Sequence, residues 1–385
     1  MRDSFLPYCR PTLDQSDVER VVSSLRRDWL TTGPNVHELE RRFEDLTGVA
    51  HAVAINSATA GLHLALVARS IGAGDEVVLP SLSFVAAAHC VRHCGATPVF
   101  CDVEPDTLCA SVRTIDAVVT SRTRAIITMP YAGRPTAIGS IAAYARSRGI
   151  VVIEDAALGV GTLDAGAWPG VESDCAVFSF YATKNVTSAE GGLLVTNDGD
   201  LANRVRLLSL HGLNRDAWNR YTAGGTWRYD VTEIGFKYNM PDLAAALALA
   251  QLDKFEAMQA RRDQIARRYC EALESIPGIE PAALGRLGDG DRHSWCVFPI
   301  LVDDGDDRDA FIASLKAANI GTSVHYIPSH LFSVYAGTPV DLPHTEREWR
   351  RLVSLPLFPK MRDTDVDDVV EAMGAFACRT PVHAA

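Results

Sequence analysis

Between residue 49 and about residue 200 the chain alternates short β-rich runs with helical patterns. "VAHAVAIN" leads into "AGLHLALVARS" and "DEVVLP" into "SFVAAAHCVRHCG"; then come "TPVFCDV", "RAIITM", "IVVIEDAAL", "CAVFSF" and "GGLLVTN". Such regular exchange is the pattern of a mostly parallel sheet covered by helices on both faces, so the expected class is α/β. Ligands of these sheets bind at the carboxyl ends of the strands. The residues that close each run therefore carry the functional argument.

The pattern changes after "GFKYNMPDLAAALALAQLDKF", which reads as a loop, a helix start near Pro241 and an Ala/Leu-rich buried helix. Beyond it Ile265, Tyr269 and Ile276 recur at near-helical spacing in a charged segment, the mark of a new amphipathic helix. A chain of 385 residues is too long for one ordinary core. The expected division is a large domain with an N-terminal arm over 1–253 and a smaller α+β C-terminal domain over 254–385. "GRLGDGDR" (Gly285 to Arg292) reads as an exposed turn.

The net charge is −11, so no global positive field exists to hold a nucleic acid backbone or an anionic membrane. An anionic ligand must be caught locally. The opening segment has no apolar run of the leader type, and the longest uncharged stretches, such as Val77 to Val91, are too short to span a bilayer. A cytoplasmic protein is expected, and nine scattered cysteines, an odd number, fit reduced thiols. "HCVRHC" has metal-like spacing but no second ligand cluster, so a buried helix face is expected there and no metal.

Four strand ends hold candidates. In "CAVFSFYATKN" an apolar run meets Lys184, either surface charge or an amine held in a pocket to form a Schiff base. "INSATAGLHLAL" places Ser57, Ala58 and Thr59 between strand and helix, where free N–H groups make either a phosphate seat or an ordinary N-cap. "VIEDAALGVG" ends a strand with two adjacent carboxylates, one of which can face the crevice and hold a protonated ring nitrogen, with a cap or salt bridge as the alternative. The nearby "GVGTLD" echoes a dinucleotide motif in the wrong order, after the acidic residues and before no evident helix. "PSLSFVAAA" offers Phe84 as a stacking face or as core. Together these groups match the needs of pyridoxal phosphate chemistry.

The chain resembles the DegT/DnrJ/EryC1/StrS family of pyridoxal-phosphate-dependent nucleotide-sugar aminotransferases, of aspartate aminotransferase fold type I. The likeness rests on "WLTTGPNVHELERRF", "INSATAGLHLAL", "PSLSFVAAA", "VIEDAALG", "SFYATKN", "EGGLLVTND", "GFKYNMPDLAAALALAQL" and "VHYIPSH", in order along nearly the whole chain. The resemblance implies that Lys184 joins the cofactor and shuttles the proton, and that Asp155 pairs with the pyridine nitrogen. Ala58, Thr59 and Ser179 would hold the phosphate, and Phe84 would stack on the ring. Asn239 would reach the cofactor phosphate of a neighbouring subunit in a homodimer with shared sites, and His325 would approach the sugar. One position departs from the family: Leu158 stands where members usually carry Gln or His, three residues after the pyridine-pairing Asp.

By the same resemblance an amino acid, L-glutamate, donates the amine and leaves the cofactor in its aminated form (PMP). The acceptor is a keto sugar on a nucleotide diphosphate. The "KYNM" segment resembles that of members acting on 4-keto sugars, which implies C4 of a dTDP-4-keto-6-deoxyhexose. The alternatives are a 3-keto-sugar or cyclitol aminotransferase of the same family, a sugar 3-dehydratase of the same fold, which would carry His in place of Lys184, a non-catalytic regulator, and a nicotinamide oxidoreductase.

Overall fold

The computed structural model describes residues 2–214, 229–303 and 308–378. A seven-stranded sheet is built from residues 51–196: β1 (His51–Ile55), β2 (Glu76–Pro80), β3 (Thr97–Cys101), β4 (Thr123–Thr128), β5 (Val151–Glu154), β6 (Cys175–Ser179) and β7 (Gly192–Thr196). Their spatial order is β1-β7-β6-β5-β4-β2-β3. Pairs from β3 through to β6 are parallel, and β7 runs antiparallel to both β6 and β1. The expected mostly parallel α/β sheet is what the chain forms. Its central strands are buried along nearly their whole length, as strands covered on both faces must be.

On one face, Val53, Ile55, Val177 and Leu194 pack against the helix Ala58–Ala68. On the other, Phe178 and Phe180 meet Phe43, with ring centroids 5.6 and 5.5 Å apart, under the helices Pro34–Thr47 and Asp242–Asp253. Removing one such phenyl group typically costs about 3–5 kcal/mol. The helix Asp242–Asp253 starts after Pro241 and is buried on several sides, as its Ala/Leu composition predicts.

The helix Phe255–Leu273 follows at once. It packs with the helices Arg308–Ala317 and Asp363–Ala377 on a three-stranded antiparallel sheet ordered β10-β9-β8, where β8 is Ile279–Pro281, β9 Phe298–Val302 and β10 Leu352–Leu355. Ile265 and Tyr269 lie on this helix, but Ile276 does not. The residue before Pro277 is driven out of the α region, and Gly278 then takes a positive φ of 77°. Ile276 still reaches the same core from the turn. Leu6 of the N-terminal arm belongs to this core too, and its backbone bonds Asn319 and Gly321. No helix among the described residues is long and apolar enough to cross a membrane.

Candidate active site

The carboxyl edge of the sheet is assembled by register. Gly192 opens β7 opposite both Ile55 of β1 and Ser179 of β6. A Cβ on Gly192 would stand 2.6 Å from the Ala58 nitrogen, so only glycine lets β7 lie against the start of the helix Ala58–Ala68. Ser57 caps that helix, its Oγ accepting from the Ala60 N–H at 3.1 Å. The cap leaves the Ala58 and Thr59 N–H groups without intrahelical acceptors, at the positive end of the helix. Because side chains alternate along a strand, Ser179 shares the face of Cys175 and Val177, the face this helix covers, and so stands at the helix N-terminus. Its Oγ accepts from the Tyr181 N–H at 3.3 Å. The helix start that Ser57 caps is therefore also one whose free N–H groups fit an anion.

The two carboxylates that close β5 face different ways. Glu154 Oε1 accepts from Gly170 N–H (2.8 Å) and Ser173 Oγ (2.7 Å), away from the crevice. Asp155 is buried, and among the described residues the one hydrogen bond to its carboxylate comes from Ala157 N–H at 3.2 Å. Burial pushes its pKa up to about 6, while the Ala157 bond and the nearby Lys184 charge pull it back down. A buried carboxylate so poorly supplied with donors suits a protonated ring nitrogen.

Lys184 sits five residues after Ser179, in the turn that leaves β6, and its N–H bonds Tyr181 O at 2.9 Å. It is half-buried, and among the described residues its amine has no hydrogen-bond or ion-pair partner. It is close enough to influence Asp155, His325 and Cys9 electrostatically. Lysine and carboxylate thus share one end of the sheet because β5 and β6 are neighbours.

The opposite wall comes from "VHYIPSH". His325 accepts or donates at both ring nitrogens, Nδ1 with Ser354 Oγ at 2.8 Å and Nε2 with Tyr8 OH at 3.3 Å, and the Tyr131 hydroxyl donates to its carbonyl. Burial, with the Lys184 charge, pulls its pKa down to about 4, so the imidazole is neutral at neutral pH. Phe84 is 56% exposed after the end of β2 and lies 5.8 Å from the ring of Tyr326. Leu158 is buried among Met129, Tyr131 and Cys296, so this chain offers an apolar contact there. Asn239 pairs with Ile55 at the edge of the sheet, donates to Thr32 Oγ1 at 2.8 Å and accepts from Lys237, all within its own chain. Cys90 of "HCVRHC" is buried and bonds the carbonyl of Thr59. "GVGTLD" is a turn with no following helix.

A sheet of this order, with an anion cradle, a buried carboxylate and an unpartnered lysine on one edge, defines a pyridoxal-phosphate-dependent transferase of fold type I. The chain belongs to the DegT/DnrJ/EryC1/StrS aminotransferase family, whose model matches residues 11–374. It is 43% identical to the spore coat polysaccharide biosynthesis protein SpsC of Bacillus subtilis (strain 168), over 97% of each chain. The sugar aminotransferase Spr1654 of Streptococcus pneumoniae in its PMP form superposes with a TM-score of 0.90 at 30% identity, covering 97% of this chain and 99% of that one. DesI, crystallised in the presence of its TDP-sugar product, superposes with a TM-score of 0.86 at 33% identity, covering 98% and 94%. The protein is a pyridoxal-phosphate-dependent sugar aminotransferase.

Sequence reasoning missed Tyr8, Tyr131, Asn185, Ser294 and Tyr326. Tyr326 and Asn185 adjoin residues already singled out, and that adjacency was the available signal. Tyr8 had none, because its partner His325 lies 317 residues away.

Proposed function

We propose that this aminotransferase moves an amino group from L-glutamate to C4 of a dTDP-linked 4-keto-6-deoxyhexose, for amino-deoxysugar biosynthesis. The observation that carries this reading is the meeting of Lys184 and Asp155 on adjacent strand ends beside a helix N-terminus; the likeness to DesI supports a TDP-linked sugar. When bound, pyridoxal phosphate supplies the electron sink that lets an amine pass between two carbonyl carbons. Ala58 and Thr59 N–H groups and Ser179 Oγ hold its phosphate, Asp155 holds the ring nitrogen and Phe84 covers the ring. Lys184 Nζ removes the α-proton of the donor and, in the second half-reaction, delivers a proton to the sugar carbon. His325 contacts the sugar.

The working unit in this reading is a cytoplasmic homodimer whose sites are shared through Asn239, each chain divided after Asp253. All nine cysteines are free thiols, in keeping with a reducing compartment. Mixing Lys184→Ala with Asn239→Ala subunits tests the sharing: one intact site per mixed dimer should restore activity, and no recovery counts against it. The acceptor is tested by offering the aminated enzyme matched 3-keto and 4-keto dTDP-sugars and following return of the visible band. Faster return with the 3-keto compound overturns the C4 assignment and leaves the aminotransferase intact.

A further inference from the structure

The residue after the lysine is buried and bonded in an unusual way. Asn185 is 4% exposed, and its Nδ2 donates to Val160 O at 3.2 Å and to Ser294 O at 2.7 Å. Val160 lies on the loop that Asp155 begins. Ser294 lies on the segment leading to β9, and its Oγ donates to Leu158 O at 2.7 Å on that same loop. Ser294 N–H bonds Gly133 O at 2.9 Å, and a Cβ on Gly133 would stand 1.8 Å from Ser294 Oγ, so glycine there is what admits the serine. One amide therefore joins three segments far apart in sequence.

The other bonds of the lysine turn close it on itself or on the N-terminal arm and do not reach the Asp155 loop: Ser188 N–H and Thr187 Oγ1 donate to Phe180 O at 2.8 and 3.2 Å, and Cys9 Sγ to Thr183 O at 3.6 Å. Its own hydrogen bond at Lys184 is local, to Tyr181 O, and the lysine side chain is a flexible stem with an unpartnered amine. Both groups that Asn185 tethers to the turn belong to or lock the Asp155 loop. We propose that Asn185 is a positioning residue that sets where Lys184 stands relative to Asp155. Two donors on one planar group fix a separation that neither strand end fixes alone. Asn185 Oδ1 is buried and, among the described residues, accepts no hydrogen bond, so the side chain is held through its donors. A misplacement of about 1 Å in such a group can cost about 100-fold in rate.

This inference rests on Lys184 being the cofactor lysine, and the test separates the two. The full-length protein, loaded with pyridoxal phosphate, is reduced with borohydride and digested. Absence of the cofactor's mass on the Lys184 peptide of the unmutated protein overturns the lysine assignment itself. With that label present, Asn185→Ala and Ser294→Ala are compared with the unmutated protein. The readouts are the single-turnover rate with saturating glutamate, the pH midpoint of the visible band, cofactor Kd and the thermal midpoint of the cofactor-free form. Asn185→Ala should slow the half-reaction about 10- to 100-fold and move the band's pH midpoint, with Kd changed less than about threefold. Ser294→Ala, which keeps the carbonyl that Asn185 bonds but cuts the Oγ bond to Leu158 O, should slow it less than Asn185→Ala does. An Asn185→Ala protein with unchanged rate and unchanged band midpoint overturns the proposal, whatever its thermal midpoint. Should that variant not fold, the same measurements on Asn185→Ser decide it by the same criteria.

Discussion

The two walls of the crevice are built by different means. On the sheet side, adjacency of strands does the work: Ser179 and Ile55 both face Gly192, and Asp155 and Lys184 follow the ends of neighbouring strands. Strand order brings these residues to one edge, and on this side the long-range side-chain support is the Asn185 amide, through its bonds to Val160 O and Ser294 O. On the C-terminal side, His325 and Tyr326 lie on an irregular segment pinned by side chains. Ser354 and Tyr8 hold the His325 ring, Tyr131 holds its carbonyl, and His330 Nδ1 meets Ser81 Oγ at 2.7 Å. The sheet side suits invariant chemistry, whereas the pinned segment can be repacked to suit a different substrate.

If that contrast is right, damage to the sheet side should stop both half-reactions, and damage to the other wall should fall on the sugar. Lys184→Ala should reduce turnover below detection, because among the described residues no other amine stands at that strand end. A variant with near-normal rate would sink the assignment. Asp155→Asn keeps an acceptor for the Ala157 N–H but removes the charge, and should slow the glutamate half-reaction by about 100- to 1,000-fold in stopped-flow absorbance.

His325→Ala should lower kcat/KM for the sugar about 10- to 100-fold while leaving the glutamate half-reaction within about threefold. Equal loss in both half-reactions would erase the distinction between the walls. Ser354→Ala frees one side of the imidazole only, and should cost less than about tenfold in the same assay.

The last effect is on stability and not on rate. Burial raises Asp155 to about 6 and Glu154 to about 7, both above the ordinary carboxylate range. An acid whose folded pKa exceeds its unfolded one holds its proton more tightly when folded. Its contribution is therefore present at low pH and lost as pH rises, here from about 4 to 7. The cofactor-free protein should lose on the order of 2 kcal/mol from the Asp155 group over that window, read from urea midpoints. Asp155→Asn should flatten its part of the slope, Glu154→Gln the other part, and loading with cofactor only the Asp155 part. An unchanged slope in Asp155→Asn would show that the carboxylate is not held in the buried, poorly hydrogen-bonded state described.

The amino-acid sequence by itself determined the sheet, its helices and the strand-end chemistry, since these depend on local patterns: apolar runs, the Ser57 cap, Gly192 and the lysine closing β6. Strand order makes neighbours of Asp155 and Lys184, and the period of two turns Ser179 toward the helix N-terminus. Local pattern leaves open which of Glu154 and Asp155 faces the crevice; the family resemblance implies Asp155, and the physical reason lies in the tertiary structure, where Gly170 and Ser173 arrive to bond Glu154. Tertiary structure alone decided the placing of Tyr8 against His325, and of Asn185 between Val160 and Ser294. Those bonds join residues that share no local pattern, and they form only once packing has brought their backbones within hydrogen-bond reach.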